Sequence, residues 1–125
     1  MANERRFSES HEWFELDGDT VTVGLTQYAV NELTDVTFVE VRPVGTSLAA
    51  GDSVGEVESV KTTSDVYSAV SGEIVEINQV AIDDPAVLNR DASGDGWLVK
   101  IKSSDTAPLS QLLEATAYNE RYPVS

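Results

Sequence analysis

Residues 55–67 read Gly55-Glu56-Val57-Glu58-Ser59-Val60-Lys61-Thr62-Thr63-Ser64-Asp65-Val66-Tyr67. Val54, Val57 and Val60 precede the lysine, and Val66, Ala69 and Val70 follow it. That spacing predicts two β-strands with Lys61 near the bend. No Asn-Gly or Asp-Gly marks the bend, so a type I′ turn is not signalled. Val60 and Lys61 fit the centre of a type I turn, which most residues tolerate. The chain has three lysines, and the other two, Lys100 and Lys102, share one strand-like run. Lys61 therefore stands alone. A long amine on a rigid hairpin tip can be reached by an enzyme that modifies it. On the local pattern alone, however, it reads as a solubilising charge or a guard against edge pairing.

Outward from this hairpin, the chain alternates between short strands and turn residues. Residues 11–25 read as a hairpin, with Phe14 and Leu16 before the turn Asp17-Gly18-Asp19 and Val21, Val23 and Leu25 after it. Thr26 is placed to cap a short helix over 27–33, with Leu25, Ala29 and Leu33 on one face. Residues 36–41 read as a strand ended by Pro43 and Gly45, and Ala49-Ala50-Gly51-Asp52 as a turn. Residues 72–78 read as a strand whose Gly72-Glu73-Ile74-Val75-Glu76-Ile77 echoes Gly55-Glu56-Val57-Glu58-Ser59-Val60. Asp83-Asp84-Pro85 starts a one-turn helix, 89–96 is a polar loop, and Trp97, Val99 and Ile101 lie on the inner side of a half-buried strand. Pro108 opens a last helix with Leu109, Leu112, Leu113 and Ala117 on one face. The fold class is mainly β: an antiparallel sandwich or flattened barrel with short helices and a C-terminal helix. Residues 1–125 form one domain, of which 1–6 are a loose N-terminus.

Composition limits the function. Twenty-two acids stand against 8 bases, a formal net charge of −14. Nucleic acid and anionic membrane surfaces both require a basic face, so neither is an expected partner. The N-terminal arginines are followed by no apolar run, so no secretory signal is read and a prokaryotic cytoplasmic location is expected. Cysteine is absent, which excludes disulfides and thiol nucleophiles. Any thiol chemistry must come from an attached group. His11 is the only histidine; it has no companion cluster and reads as a packing residue beside Trp13. Asp83-Asp84 and Asp91/Asp95 lack metal-site spacing, and Gly94-Asp95-Gly96 lacks a phosphate-loop pattern. No catalytic residue and no metal ligand is assigned, so the chain is read as a non-enzyme.

The segment Glu58-Ser59-Val60-Lys61-Thr62, with Ser64-Asp65-Val66-Tyr67 and Ser71-Gly72-Glu73, resembles the lipoyl-lysine segment of the glycine cleavage system H protein family. His11-Glu12-Trp13, Gly24-Leu25-Thr26-Gln27-Tyr28-Ala29, Phe38-Val39-Glu40 and Gly94-Asp95-Gly96-Trp97-Leu98 occur in that family's order and spacing, from Phe7 to Tyr118. Thr34 stands where Gly is common and Thr62 where Ala is common; neither bears on the lysine's chemistry.

The resemblance implies a lipoyl-domain-like fold (a barrel-sandwich hybrid) in a monomeric carrier with lipoate attached to Lys61. It implies a shuttle of the aminomethyl group of glycine between three partners: a pyridoxal-phosphate decarboxylase (P protein), a folate-dependent aminomethyltransferase (T protein) and a flavin dihydrolipoyl dehydrogenase (L protein). A lipoate ligase or transferase is a fourth partner. It must supply the base, because the free lysine amine has a pKa near ~10.4. Several rival readings stand beside this one. A 2-oxo acid dehydrogenase lipoyl domain usually has Asp-Lys-Ala at the tip and leaves 11–36 unexplained. A biotin carrier has methionines around its lysine. An H-like protein can act as a lipoate relay to other carriers, and a purely structural domain carries no adduct.

The acid excess, with lysine nearly eliminated, reads as halophilic adaptation as well as solubility. Acids that repel one another in the compact state are screened by added ions. The melting temperature is therefore expected to rise from dilute buffer to molar potassium chloride; a flat or falling trend in calorimetry counts against this reading.

Overall fold

The computed structural model describes residues 5–122. β1 (Arg5–Phe7), β2 (Glu12–Asp17) and β3 (Thr20–Leu25) form an antiparallel meander. Arg5 and Arg6, expected in a loose terminus, already belong to a strand; residues 1–4 lie outside the described residues. The β2–β3 turn holds Gly18 at φ +66°, and Asp19 has no positive φ. A left-handed first central residue followed by an ordinary one is the type II′ pattern, whose twist suits a two-residue hairpin. Thr26 caps α1 (Gln27–Leu33) as expected, its hydroxyl accepting the Ala29 N–H. The buried face of α1 runs through Val30 and Leu33, displaced around the helix from the expected row through Ala29.

β4 (Val36–Val41) follows, then the two-residue β5 (Ser47–Leu48). The turn at 49–52 has Gly51 at φ +94° and an Asp52 N–H to Ala49 C=O bond of 3.0 Å, a type II arrangement. β6 (Ser53–Ser59), β7 (Thr63–Tyr67) and β8 (Gly72–Ile77) come next. α2 (Gln79–Asp83) is an element the strand reading through Asn78 missed. The Asn78 carboxamide caps it by accepting the Val80 N–H, and donates to the carbonyls of Asp95 and Trp97 at 2.8 and 2.7 Å. α3 (Val87–Asp91) grows from the Asp-Pro signal and absorbs the first residues of the expected 89–96 loop. β9 (Val99–Lys102) buries Val99 and Ile101.

The single helix expected after Pro108 is instead three pieces: a 3-10 turn Ala107–Gln111, the two-residue β10 (Leu113–Glu114) and α4 (Ala115–Arg121). Leu112 turns extended, with φ −83° and ψ 168°, so that Leu113 and Glu114 pair with Phe7 and Arg6. This pairing covers the edge of β1, whose amides otherwise need water or another chain. Leu109 and Tyr118 are the buried anchors of this segment, and Leu112 and Leu113 are half-buried.

The strands form two open antiparallel sheets, one of order β10-β1-β2-β3-β9-β8-β5 and one of order β4-β6-β7. The architecture is thus a sandwich and not a closed barrel. Val21, Val23, Ile74, Val99 and Ile101 of the larger sheet share one buried cluster with Val39, Val54, Val57 and Val66 of the smaller. The Gly55 and Gly72 echo has a packing basis. A Cβ on Gly55 would lie 2.2 Å from the Glu40 carbonyl oxygen, and one on Gly72 would lie 2.3 Å from that of Lys102. Each glycine admits a neighbouring backbone that a side chain would exclude.

Charges are distributed unevenly between the sheets. In the larger sheet Arg5 faces Glu15, Arg6 faces Glu114, Lys100 faces Glu76 and Lys102 faces Glu73. In the smaller sheet Glu40, Glu56 and Asp65 stand directly opposite one another, all exposed.

Thr34, the C-cap of α1, has φ +68° and ψ −129°. Positive φ in a β-branched residue is a true outlier. It is held by its N–H to the Val30 carbonyl and by the Asn89 carboxamide, which donates to the Thr34 carbonyl at 2.6 Å and accepts the Val36 N–H at 3.0 Å. Thr34→Gly is expected to stabilise the fold. Relief of such strain is worth about 1–3 kcal/mol, and the extra backbone entropy of glycine opposes it by about 0.5–1 kcal/mol. Urea melts of the two proteins measure the net gain, and a less stable glycine variant refutes the strain assignment.

Candidate functional site

β6 and β7 pair antiparallel from Glu58↔Thr63 back to Ser53↔Tyr67. They leave Val60 and Lys61 as the two central residues of the tip, as the sequence predicts. Neither has a positive φ, in accord with the absence of a type I′ signal. The Ser59 N–H donates to the Thr62 carbonyl at 2.8 Å. The return amide is held differently. Both the Lys61 and Thr62 N–H groups donate to Ser59 Oγ, at 3.1 and 3.0 Å, and that hydroxyl donates to the Thr62 carbonyl at 3.1 Å. This fastening by a side chain is the part of the turn that sequence spacing did not reveal, although serine's habit of bonding nearby backbone is a usable signal.

The tip does not project freely from the body. The Val60 N–H donates to the Asp35 carbonyl at 3.1 Å, and the Lys61 ammonium donates to the Glu32 carbonyl at 3.2 Å. Glu32 lies in the last turn of α1, whose carbonyls lack partners within the helix and carry its negative pole. Lys61 itself is exposed and has no ion pair among the described residues. Lys100 differs. It lies 3.9 Å from Glu76 Oε1 and over the Trp97 ring at 5.0 Å. Lys102 is in β9 opposite Thr20 and Glu73. Of the three lysines, only Lys61 occupies a tip.

Beyond Tyr67, the hairpin of β6 and β7 is tied to the larger sheet by Glu12, a residue that sequence reasoning used only as part of a motif. Its side chain is buried, with 1% of the residue exposed. One carboxylate oxygen accepts the hydroxyls of Ser8 and Ser10, each at 2.5 Å, and the other accepts the Tyr67 N–H at 3.2 Å. Burial raises its pKa, and the hydrogen bonds from Ser10, Ser8 and Tyr67 draw it back. An acid within an aromatic-rich strand run was the available signal.

His11 packs, as expected, but against tyrosines and not Trp13. Its ring lies 4.8 Å from Tyr28 and 4.7 Å from Tyr122, and Nδ1 is hydrogen-bonded to Tyr118 Oη at 2.8 Å. Burial lowers its pKa and the Glu32 charge opposes that. Trp13 is buried against Gly24, sends its indole N–H to the Ala92 carbonyl at 3.1 Å and lies beneath the Arg5 guanidinium. The acid pairs have structural partners: Asp84 bridges to Arg90 at 2.8 Å, and Asp91 accepts the Asp95 N–H at 3.0 Å. Among the described residues no three His, Cys, Asp or Glu side chains converge as a metal site, and no helix is long and apolar enough to cross a membrane.

The native state favours protonated Glu12, so between the ordinary and the raised pKa it binds more protons than the unfolded chain. Stability from this group therefore falls as pH rises through that window. Urea melts of the parent chain and Glu12→Gln across pH 4–8 should show the parent gaining relative to the variant as pH drops. Parallel curves dispose of the assignment.

Comparison with known proteins places this geometry. A sequence profile described as glycine cleavage H-protein matches residues 5–123. The glycine cleavage system H protein of Parvibaculum lavamentivorans is 47% identical over 115 residues, 92% of each chain. That of Chlorobium limicola is 46% identical over 122 residues, 96% of this chain and 95% of the relative. A crystal structure of a glycine cleavage system H protein from Mycobacterium marinum superposes with a TM-score of 0.87 at 38% identity, covering 99% of this chain and 100% of that one.

Proposed function

The chain belongs to the glycine cleavage H-protein family, and on that premise we propose that it is a non-catalytic lipoyl carrier whose arm is attached to Lys61. The observation behind this reading is the placement of Lys61. It is the one lysine on a turn, exposed, free of carboxylate partners among the described residues, and rooted in a fixed backbone. The residues fit the group. An amide to Nζ needs an amine that can leave its resting contact, and a single exposed hydrogen bond to the Glu32 carbonyl is weak restraint.

Lipoate, when bound, supplies the two sulfurs and the group-carrier chemistry that a chain without cysteine lacks. The protein supplies the mounting. β6 and β7 carry the attachment point, Ser59 fixes the turn, and Glu12 holds the far end of β7 to the larger sheet. The partners follow from the family: the glycine decarboxylase, the aminomethyltransferase, the dihydrolipoyl dehydrogenase and a lipoate ligase or transferase. The family match spans residues 11–36, the region that a 2-oxo acid dehydrogenase lipoyl domain leaves unexplained.

Lys61→Arg is expected to abolish carrier function while leaving the fold intact. The guanidinium keeps the charge and can reach the Glu32 carbonyl, and surface changes of this kind shift stability by about ±0.5 kcal/mol. Arginine stays protonated and cannot accept the acyl group. Intact mass after incubation with lipoate ligase, thermal unfolding, and glycine-cleavage turnover with the three partner enzymes are measured on one preparation. An adduct or substantial turnover with the Arg variant refutes attachment at Lys61.

A further inference from the structure

We infer that Ser59 is a positioning residue for acylation of Lys61, acting by fixing the backbone from which the lysine stem starts. This rests on Lys61 being the attachment site. A hydroxyl has one hydrogen to donate and two lone pairs to accept with. At the tip Ser59 uses all three: the hydrogen goes to the Thr62 carbonyl, and the lone pairs take the Lys61 and Thr62 amides. The two central residues offer no alternative fastening within the turn itself; the Val60 N–H is spent on the Asp35 carbonyl outside it. Neither is glycine, asparagine or aspartate, neither has the positive φ of a primed hairpin turn, and the Val60 side chain is 68% exposed.

The same device recurs where this chain must hold an irregular backbone. Ser53 bonds both the N–H and C=O of Gly55, Ser68 those of Val70, and Ser103 those of Asp105. In those three cases the serine grips one residue, two positions on. Among the described residues only Ser59 reaches across two successive amides, and the first of them belongs to the lysine.

The consequence is chemical. Acylation from a lipoyl-adenylate forms an amide between Lys61 Nζ and the acyl carbon and breaks the acyl–phosphate bond. AMP leaves, and the amine protons pass to the ligase's base. The nucleophile must come within about 3–3.5 Å of the acyl carbon with its lone pair aligned. A four-carbon stem is flexible, so the carrier can fix only the stem's origin and direction. Losing that fixation makes the enzyme order the tip during the encounter.

The test is acylation of the full chain by lipoate ligase from preformed lipoyl-adenylate. Parent, Ser59→Ala, Ser59→Thr and Lys61→Arg are compared, alongside melting temperature and exchange of the Lys61 and Thr62 amides by NMR. Ser59→Ala is expected to lower kcat/KM about ten- to a hundredfold and to speed exchange at those two amides, with melting unchanged. Ser59→Thr, which keeps the hydroxyl, restores both. Acylation of Ser59→Ala at the parent rate overturns the proposal, as does a threonine variant as slow as the alanine one. If Ser59→Ala melts within the assay range, Ser59→Cys, similar in shape but a weak hydrogen-bonding group, takes its place under the same criteria. Acylation of Lys61→Arg refutes the attachment site, and the role of Ser59 falls with it; an inert Lys61→Arg beside a Ser59→Ala that is acylated at the parent rate refutes the role of Ser59 alone.

Discussion

The Glu12 carboxylate is the joint between the two halves of this molecule. It belongs to the larger sheet, and it accepts the Tyr67 N–H at the end of the strand that leads away from the Lys61 tip. That amide lies on the side of β7 away from β6, where no ladder partner serves it. A part-buried amide gains from a carboxylate acceptor, because a charge-assisted hydrogen bond is stronger than a neutral one. A buried carboxylate is costly unless its oxygens are occupied. Here each group answers the other's need, and the Ser8 and Ser10 hydroxyls complete the second oxygen. The inward valines hold the sheets face to face without direction. Glu12 supplies the direction, because a hydrogen bond has a geometry and apolar contact does not.

From that joint the rest of the site is a chain of short fastenings. Tyr67 fixes the end of β7, the ladder carries the register back to Glu58 and Thr63, Ser59 fixes the turn, and Lys61 starts from it. Each step is a main-chain constraint, so the lysine side chain is left as the one long mobile part. Such a division suits a group carrier. The attached group performs the chemistry, and the protein determines where it starts from.

Much of this was legible in the sequence because it rests on local rules. Alternation placed β2, β3, β4 and β6 to β9, Thr26 announced its cap, and Lys61 fell on the tip. What was missed depended on distant partners. Leu98 is buried beside Val99 because it lies just before β9, where strand alternation does not yet apply; its N–H goes to the Val23 carbonyl and its carbonyl takes the Asn78 N–H. Leu112 to Glu114 carry a helical pattern, yet pairing with β1 outweighs helix propensity. Glu12 became a joint only through Tyr67, 55 residues away. Thr34 is the subtlest case. It was noted as a harmless departure from a glycine, but the structure shows that the position needs φ > 0, which is what glycine provides.

The unequal pairing of charges gives the molecule a stiff end and a compliant one. The larger sheet matches cation to anion across its strands at four positions, and such pairs reinforce a sheet. The strands of the smaller sheet contain no cation, and Glu40, Glu56 and Asp65 push against one another across all three. Like charges directly opposite weaken pairing. Cohesion there falls to the inward valines and to whatever ions the solvent provides. Amides of the smaller sheet should therefore open at lower free energy than those of β2 and β3. The end that holds the Lys61 tip is thus the one whose backbone yields most readily, while the opposite sheet keeps its shape.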